Sequence, residues 1–414
     1  MTMTAETRRT PVESKRQRID SIDLLRGIVM VIMMLDHTRD FVHYIGLLGD
    51  PTDLNTTTTP LFLTRWITHF CAPVFVFLAG TGAYLQWSRG KSKGELSKFL
   101  LTRGLWLIGL ELTLVRFGMS FSFDYRFLGF LQVIWVIGVS MIVMAALIHL
   151  PLRVVAVFGV AMIALHNLLD RIHVEPWQGP NTPVPGIGGK LWMFLHQQGG
   201  FPIGGFPSPF LFVVYPLIPW IGVMAAGYAF GSLYKLDARR RRKMLLIIGG
   251  IATALFFMIR AFNHYGDPSR WAKQKTTVFT ILSFFNTTKY PPSLLFLLMT
   301  LGPAIAVLAW FEVSNRGAIS RFFITFGRVP LFFYLLQWPT AHLISILLHW
   351  AFGKPVAWLF MSPIQVFENP PKGNGFNLAV VYACWIAGVL LLYPLCKWFA
   401  EVKARRRVWW LSYL

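Results

Sequence analysis

The chain has 414 residues, 55% of them hydrophobic and only 14% charged, against about 25% charged in soluble domains. That deficit excludes an ordinary soluble globular protein and points to lipid. Its net charge of +21 invites a nucleic-acid reading, which the placement of the basic residues argues against.

Residues 1–18 form a polar, basic stretch, expected to be a disordered cytoplasmic tail rather than a cleaved signal peptide. Ten apolar runs follow, near 22–45, 60–87, 96–116, 127–149, 151–170, 208–234, 243–262, 291–311, 319–349 and 378–399. Each approaches or exceeds the roughly 20 residues that cross a bilayer as a helix. The expectation is an all-α polytopic membrane protein of about ten transmembrane helices, one membrane domain over 19–403 and a cytoplasmic tail over 404–414. The ninth run is overlong and should tilt or break at Pro330 or Pro339. With the N-terminus inside, cytoplasmic segments carry 23 of the 39 basic residues and external ones ten, a bias that fits both termini in the cytoplasm. Arg239 to Lys243 then reads as a topology anchor, no nucleic-acid partner is expected, and the location is a multi-pass cytoplasmic (inner) membrane protein. Cys71, Cys384 and Cys396 all fall in spans without a CxxC pair and read as buried apolar residues. The long loops 171–207, 263–289 and 350–377 are assigned outside, the first rich in Gly, Pro and aromatics as an interfacial belt or an acceptor platform.

The first run breaks its own apolarity at Asp36-His37-Thr38-Arg39-Asp40. A charge at bilayer depth costs roughly 2.5–3.5 kcal/mol on insertion scales, so such residues face each other, a cavity or water. Asp36, Arg39, Asp40 and His43 share one helical face, and Asp40 lies three residues from His37, whose ring it could orient. In the next run Arg65 and His69 should reach the same layer, roughly 14 Å inward from Pro60 for His69. This layer reads as a catalytic site or proton relay, or as a structural ion-pair network. A metal held by His37, Asp40 and His69 is a weaker alternative, for which no ligand spacing speaks, and no metal is expected.

Arg26 lies on the order of 16 Å below His37 along the helix, the reach of an extended pantetheine arm. A cytosolic acyl-CoA could therefore place its phosphates near Arg26, Lys98 and Arg103 and its thioester at the histidine layer. Arg328, in the cytoplasmic third of the ninth run, could bind phosphate or cap carbonyls. Glu111 is expected to pair with Arg116 or Arg65, and His149, His166 and His349 to be interfacial.

The stretch Arg18 to Asp40, RIDSIDLLRGIVMVIMMLDHTRD, resembles the opening span of bacterial proteins related to the catalytic domain of heparan-alpha-glucosaminide N-acetyltransferase. RWITHFCAPVFVFLAGTGAYL, from Arg65 to Leu85, and FGRVPLFFYLLQWPTAHL, from Phe326 to Leu343, resemble that family's second and late spans. Arg26 and His37 also match the Arg/His pattern of transmembrane O-acyltransferases of envelope polysaccharides. The resemblance implies acyl transfer from cytosolic acetyl-CoA or another acyl-CoA to an extracytoplasmic glycan or glycolipid. The lysosomal branch carries its active histidine in the loop after the first span; here Gly46 to Thr59 has none, leaving the role to His37 or His43. Gln337 stands where a histidine is usual, with His342 five residues on. The reading that results is an acyltransferase with His37 as base or acyl carrier and Asp36 or Asp40 orienting it. Arg39, Arg65 or His69 would serve the oxyanion, and Arg26, Lys98, Arg103 and Arg328 would hold CoA. The rival is a proton-coupled transporter or lipid flippase in which Asp36, His37 and Asp40 carry protons.

Overall fold

A computed structural model describes residues 19–46, 49–205, 208–314, 317–406 and 408–414; the expected N-terminal tail lies outside the described residues. Helix α1 (Asp20–Val42) opens with Asp20 and Asp23 in its first turn, where acids complement the helix dipole, and is buried on almost every face. An apolar helix buried all round belongs at the centre of a bundle. Around it run α2 (Thr59–Thr68), α3 (Cys71–Ser88) and α4 (Lys93–Leu110), the last entered through a Ser92–Glu95 capping box. A π turn at Glu111–Val115 leads to α5 (Arg116–Ser120), strand β1 (Phe127–Leu131), α6 (Val133–Leu147) and α7 (Leu152–Leu165). A 3-10 turn (His166–Arg171), α8 (Ile187–Leu195) and strands β2 (Gly199–Pro202) and β3 (Phe210–Val213) precede α9 (Leu217–Phe230). The chain closes with α10 (Ala238–Phe262), α11 (Thr277–Phe285), α12 (Leu294–Phe311), α13 (Ala318–Arg328), α14 (Pro330–Ala351), α15 (Pro363–Glu368) and α16 (Leu378–Arg405).

The result is a polytopic helical membrane protein. Every one of the ten apolar runs carries helix, and seven helical stretches among the described residues are long and apolar enough to cross a membrane. The other three runs fall short of that test for readable reasons. Helix α1 carries Arg26, Asp36, Arg39 and Asp40, α4 carries Lys93, Glu95, Lys98 and Arg103, and α6 has 15 residues. Two expected span edges are strands instead. β1 pairs in parallel with β3, and β3 pairs antiparallel with β2, in the order β1-β3-β2. A short apolar run bounded by turns reads equally as strand or span edge.

The overlong ninth run breaks at the first of its two prolines. Pro330 has no backbone N–H and starts α14, the position where that loss is harmless, whereas Pro339 stays inside the helix. Helix α13 crosses α1 so closely that a Cβ on Gly27 would meet the Phe323 carbonyl, and one on Gly327 the Asp23 carbonyl. Small residues at such crossings let membrane helices associate backbone to backbone. Two side-chain bonds then set the register of α1's neighbours: Ser345 Oγ donates to the Phe41 carbonyl (2.8 Å) and Trp385 Nε1 to that of Val31 (2.8 Å). The expected C-terminal tail packs back: Leu411 is buried and the Tyr413 hydroxyl meets Thr102 Oγ1 at 2.6 Å.

Candidate active site

The polar layer of α1 is assembled by one arginine. Arg39 Nη2 lies 3.0 Å from Asp36 Oδ1 and 2.6 Å from Asp40 Oδ1, so one cation within the helix answers two acids and leaves a net negative charge. Arg65, from α2, donates to the second oxygen of Asp36. Buried ion pairs of this kind are net favourable only when their hydrogen bonds are complete; removing one partner costs about 3–5 kcal/mol. A fifth group comes from a place the sequence gave no reason to search. Lys289, only 9% exposed, lines the same cavity with its ammonium 5.2 Å from the Tyr290 ring centre and makes no ion pair among the described residues. Its backbone is fixed from behind, because Asp267 accepts from Thr288 N (2.9 Å) and from Ser293 Oγ (2.6 Å). Arg260 reinforces the same turn by donating to the carbonyls of Phe284, Ser269, Ser283 and Asn286.

His37 is not oriented by a carboxylate. Its ring stacks on Trp338 of α14, with centroids 3.7 Å apart and planes 21° apart, and meets Tyr334 edge-on at 6.5 Å. Its Nδ1 is buried without a hydrogen-bond partner. Arg39 and Arg65 already engage both acids, so the imidazole is positioned by aromatic surface. Aromatic residues carry no periodic mark inside an apolar run, so neither Tyr334 nor Trp338 was legible as part of the site.

Two cavities flank this ring. The first, of about 440 Å³, opens at the N-terminal end of α1 and is lined by Arg26, Arg89, Arg103, Arg328 and Lys403, with Met30, Ile137 and Tyr334 deeper in. Arg26 is held by Asp23 (3.1 Å) and the Gly327 carbonyl (3.2 Å). Lys98 does not line this cavity: it points away on the exposed face of α4, and Arg89 and Lys403 stand in its place. The second cavity, of about 390 Å³, lies at the other end of α1. It contains Asp36, His37, Arg39, Asp40, Arg65 and Lys289, and also Tyr215, Trp338, His342 and Trp358. Tyr334 lines the first cavity and His37 the second, and their rings are in edge contact. One layer of side chains separates the two spaces.

Several expected residues lie elsewhere. His69 is buried against Phe296 (5.3 Å) and lines neither cavity. His43 is buried at the end of α1, where its Nδ1 accepts from Ile45 N (3.3 Å), also outside both. His342 does face the second cavity, its ring sandwiched between Phe41 (4.6 Å) and Phe121 (4.2 Å), while Gln337 is fully buried with its amide unpartnered. Glu111 pairs with neither Arg116 nor Arg65: its carboxylate accepts from Trp135 N (3.0 Å), at the N-terminal turn of α6, where an anion is favoured. Arg116 instead donates to the carbonyls of Phe127, Ser122 and Asp124, holding the turn into β1. Of the three histidines expected at the interface, His166 and His349 are buried and His149 is exposed. Nor do His37, Asp40 and His69 close into a metal site; among the described residues the donor group within metal reach is His166, Asp170 and His196.

Fold and site together define a helical membrane protein in which a basic cavity and a polar one meet at a histidine. Comparison with protein families makes this specific: residues 18–262 match the family described as heparan-alpha-glucosaminide N-acetyltransferase, catalytic, and the chain belongs to that family. Membership implies a membrane acyltransferase-type function. Among curated proteins none matches the chain. The family match ends with the last residue of α10, so Lys289, Arg328, Tyr334 and Trp338 come from beyond it.

Proposed function

We propose that this protein, in the cytoplasmic membrane, transfers an acetyl group from cytosolic acetyl-CoA to a hydroxyl or amine of an extracytoplasmic glycan or glycolipid. The observation that carries the reading is the pair of cavities meeting at His37 and Tyr334. By the charge bias of the loops, the N-terminal end of α1 faces the cytosol. The guanidinium groups of Arg26, Arg103, Arg328 and Arg89 suit phosphates, which a planar fork binds through two hydrogen bonds. The apolar depth beyond them suits a pantetheine arm.

In this reading the acceptor sits in the outer cavity. His37 takes the proton from its hydroxyl or amine as the freed lone pair attacks the thioester carbonyl; the C–S bond breaks and CoA leaves as thiolate, which is then protonated. Arg39 and Arg65 are committed to carboxylates, so Lys289 is the cation best placed for the oxyanion. Asp36 and Asp40 hold the arginines rather than the imidazole. The test uses membranes oriented in both senses, wild type and His37→Ala, with radiolabelled acetyl-CoA on the cytoplasmic face. His37-dependent label in glycan or lipid on the outer face supports the reading. Label that does not move, together with acetyl-CoA that neither binds nor stabilises the purified protein, refutes it and favours the proton-coupled transporter.

A further inference from the structure

We infer that His166, Asp170 and His196 form a site for one divalent transition-metal ion of the zinc type, separate from the two cavities. One donor atom from each residue lies within 4.8 Å of the other two. His166 and Asp170 come from the 3-10 turn that ends α7, and His196 from the residue that closes α8. Both histidines are 3% exposed. His196 Nε2 lies 3.0 Å from Asp170 Oδ1, and that contact is the only one the set makes internally among the described hydrogen bonds. Both ring nitrogens of His166, and Nδ1 of His196, are buried without a partner.

A buried imidazole with both nitrogens unanswered is rare in a finished protein, because buried polar atoms are nearly always bonded. A metal ion supplies the missing partner. Two imidazoles on a tetrahedral ion at about 2.0–2.1 Å place their ring centres on the order of 5 Å apart; those of His166 and His196 are 5.4 Å apart with planes at 68°. Two nitrogens and one carboxylate oxygen are a borderline-soft set that suits zinc, with a fourth position left for water. The carboxylate is already aimed: Asn167 Nδ2 donates to Asp170 Oδ2 at 2.8 Å, the outer support that metal-binding carboxylates usually have. Asn167 in turn accepts from Leu294 N (2.9 Å), tying the set to the start of α12.

The ion would clip the end of α7 to the end of α8. Gln197, next along, bonds both backbone groups of Val174 (2.9 and 2.6 Å), and Gln198 lines the outer cavity. The site would therefore brace one wall of that cavity without touching it.

The experiment uses the untagged full chain in detergent, stripped with a chelator and returned to Zn²⁺ alone. Bound metal is measured by elemental analysis and thermal unfolding is followed in parallel. The expected result is one zinc per chain and a melting temperature that rises on its return. His166→Gln and His196→Gln should each weaken binding at least 100-fold. His166→Phe, which fills the space without a donor, should elute like the wild type and show no response to zinc. Co²⁺ in place of zinc should give the visible absorption of a four-coordinate site in the wild type only. Wild-type protein that elutes normally and binds no zinc overturns the inference, leaving a plain His196–Asp170 hydrogen bond. Zinc bound equally by wild type and His166→Phe overturns it as well.

Discussion

The two cavities solve opposite problems with the same kind of residue. In the first, at the N-terminal end of α1, arginines line an open space, where Arg26 meets Asp23 and Arg328 meets Asp20. In the second, arginines are buried, and carboxylates answer each of them. Guanidinium groups lining an open space at the first are suited to an anionic ligand arriving from water; the ion pairs at the second are scaffolding, and the proposed mechanism leaves the chemistry there to His37 and Lys289. Counting basic residues does not separate these roles. Their surroundings do.

That contrast can be broken most severely at the shared wall. His37→Ala should lower acyl transfer by about 10²–10⁴, the usual scale of a lost general base, with the amount of inserted protein unchanged. His69→Ala, outside both cavities, should retain most activity, as measured by the oriented-membrane assay; equal loss in both would move the chemistry away from the wall. Lys289→Met should lower kcat by about 10²-fold with little change in the KM for acyl-CoA, the pattern of a group acting on developing charge. Arg103→Ala should do the reverse, raising the KM for acyl-CoA by roughly tenfold at constant kcat, whereas Lys98→Ala should stay within about twofold of wild type. A Lys98 effect as large as that of Arg103 would show that the basic cavity does not select the donor.

The smallest expected effect lies beside the outer cavity. Hydrogen bonds from Arg126, then from Ser362, hold the Asp124 carboxylate down to about 2, against its burial. A carboxyl depressed on folding adds stability above its unfolded value, near 3.8, and loses it as the pH falls through about 2. Thermal unfolding of Asp124→Asn and wild type should therefore differ at neutral pH and converge across the interval from about 4 to about 2.

Much of the site's ionic half was legible in the sequence, since charges inside an apolar run are costly and stand out. Asp36, Arg39, Asp40 and Arg65 do lie together, and Arg26, Arg103 and Arg328 do line one cavity. The aromatic half was not legible: Trp338 and Tyr334 look the same in sequence whether they face lipid, core or His37. Lys289 was hidden by a counting rule. It was tallied among loop charges as a topology signal, although it is buried, while Arg270, Lys273 and Lys275 of the same loop are exposed. The sheet was missed because β1 and β3 are too short and too apolar to differ from the edges of spans. The position of Lys98 failed on helical phase, a difference of one face that a rise-per-residue estimate cannot see.

The self-contained pairing within α1 has a consequence for the order in which the protein is made. Arg65 emerges 29 residues after Asp36, and Trp338 some 301 residues after His37. At about 5–20 residues per second, the first helix waits a second or more for its basic partner and on the order of 15–60 s for its aromatic one. During that wait Arg39 is within reach of both Asp36 and Asp40, so the segment can enter the bilayer with one of its two carboxylate charges already cancelled. The arrangement that leaves His37 without a carboxylate in the finished site is the one that lets the helix carrying it cross the membrane first.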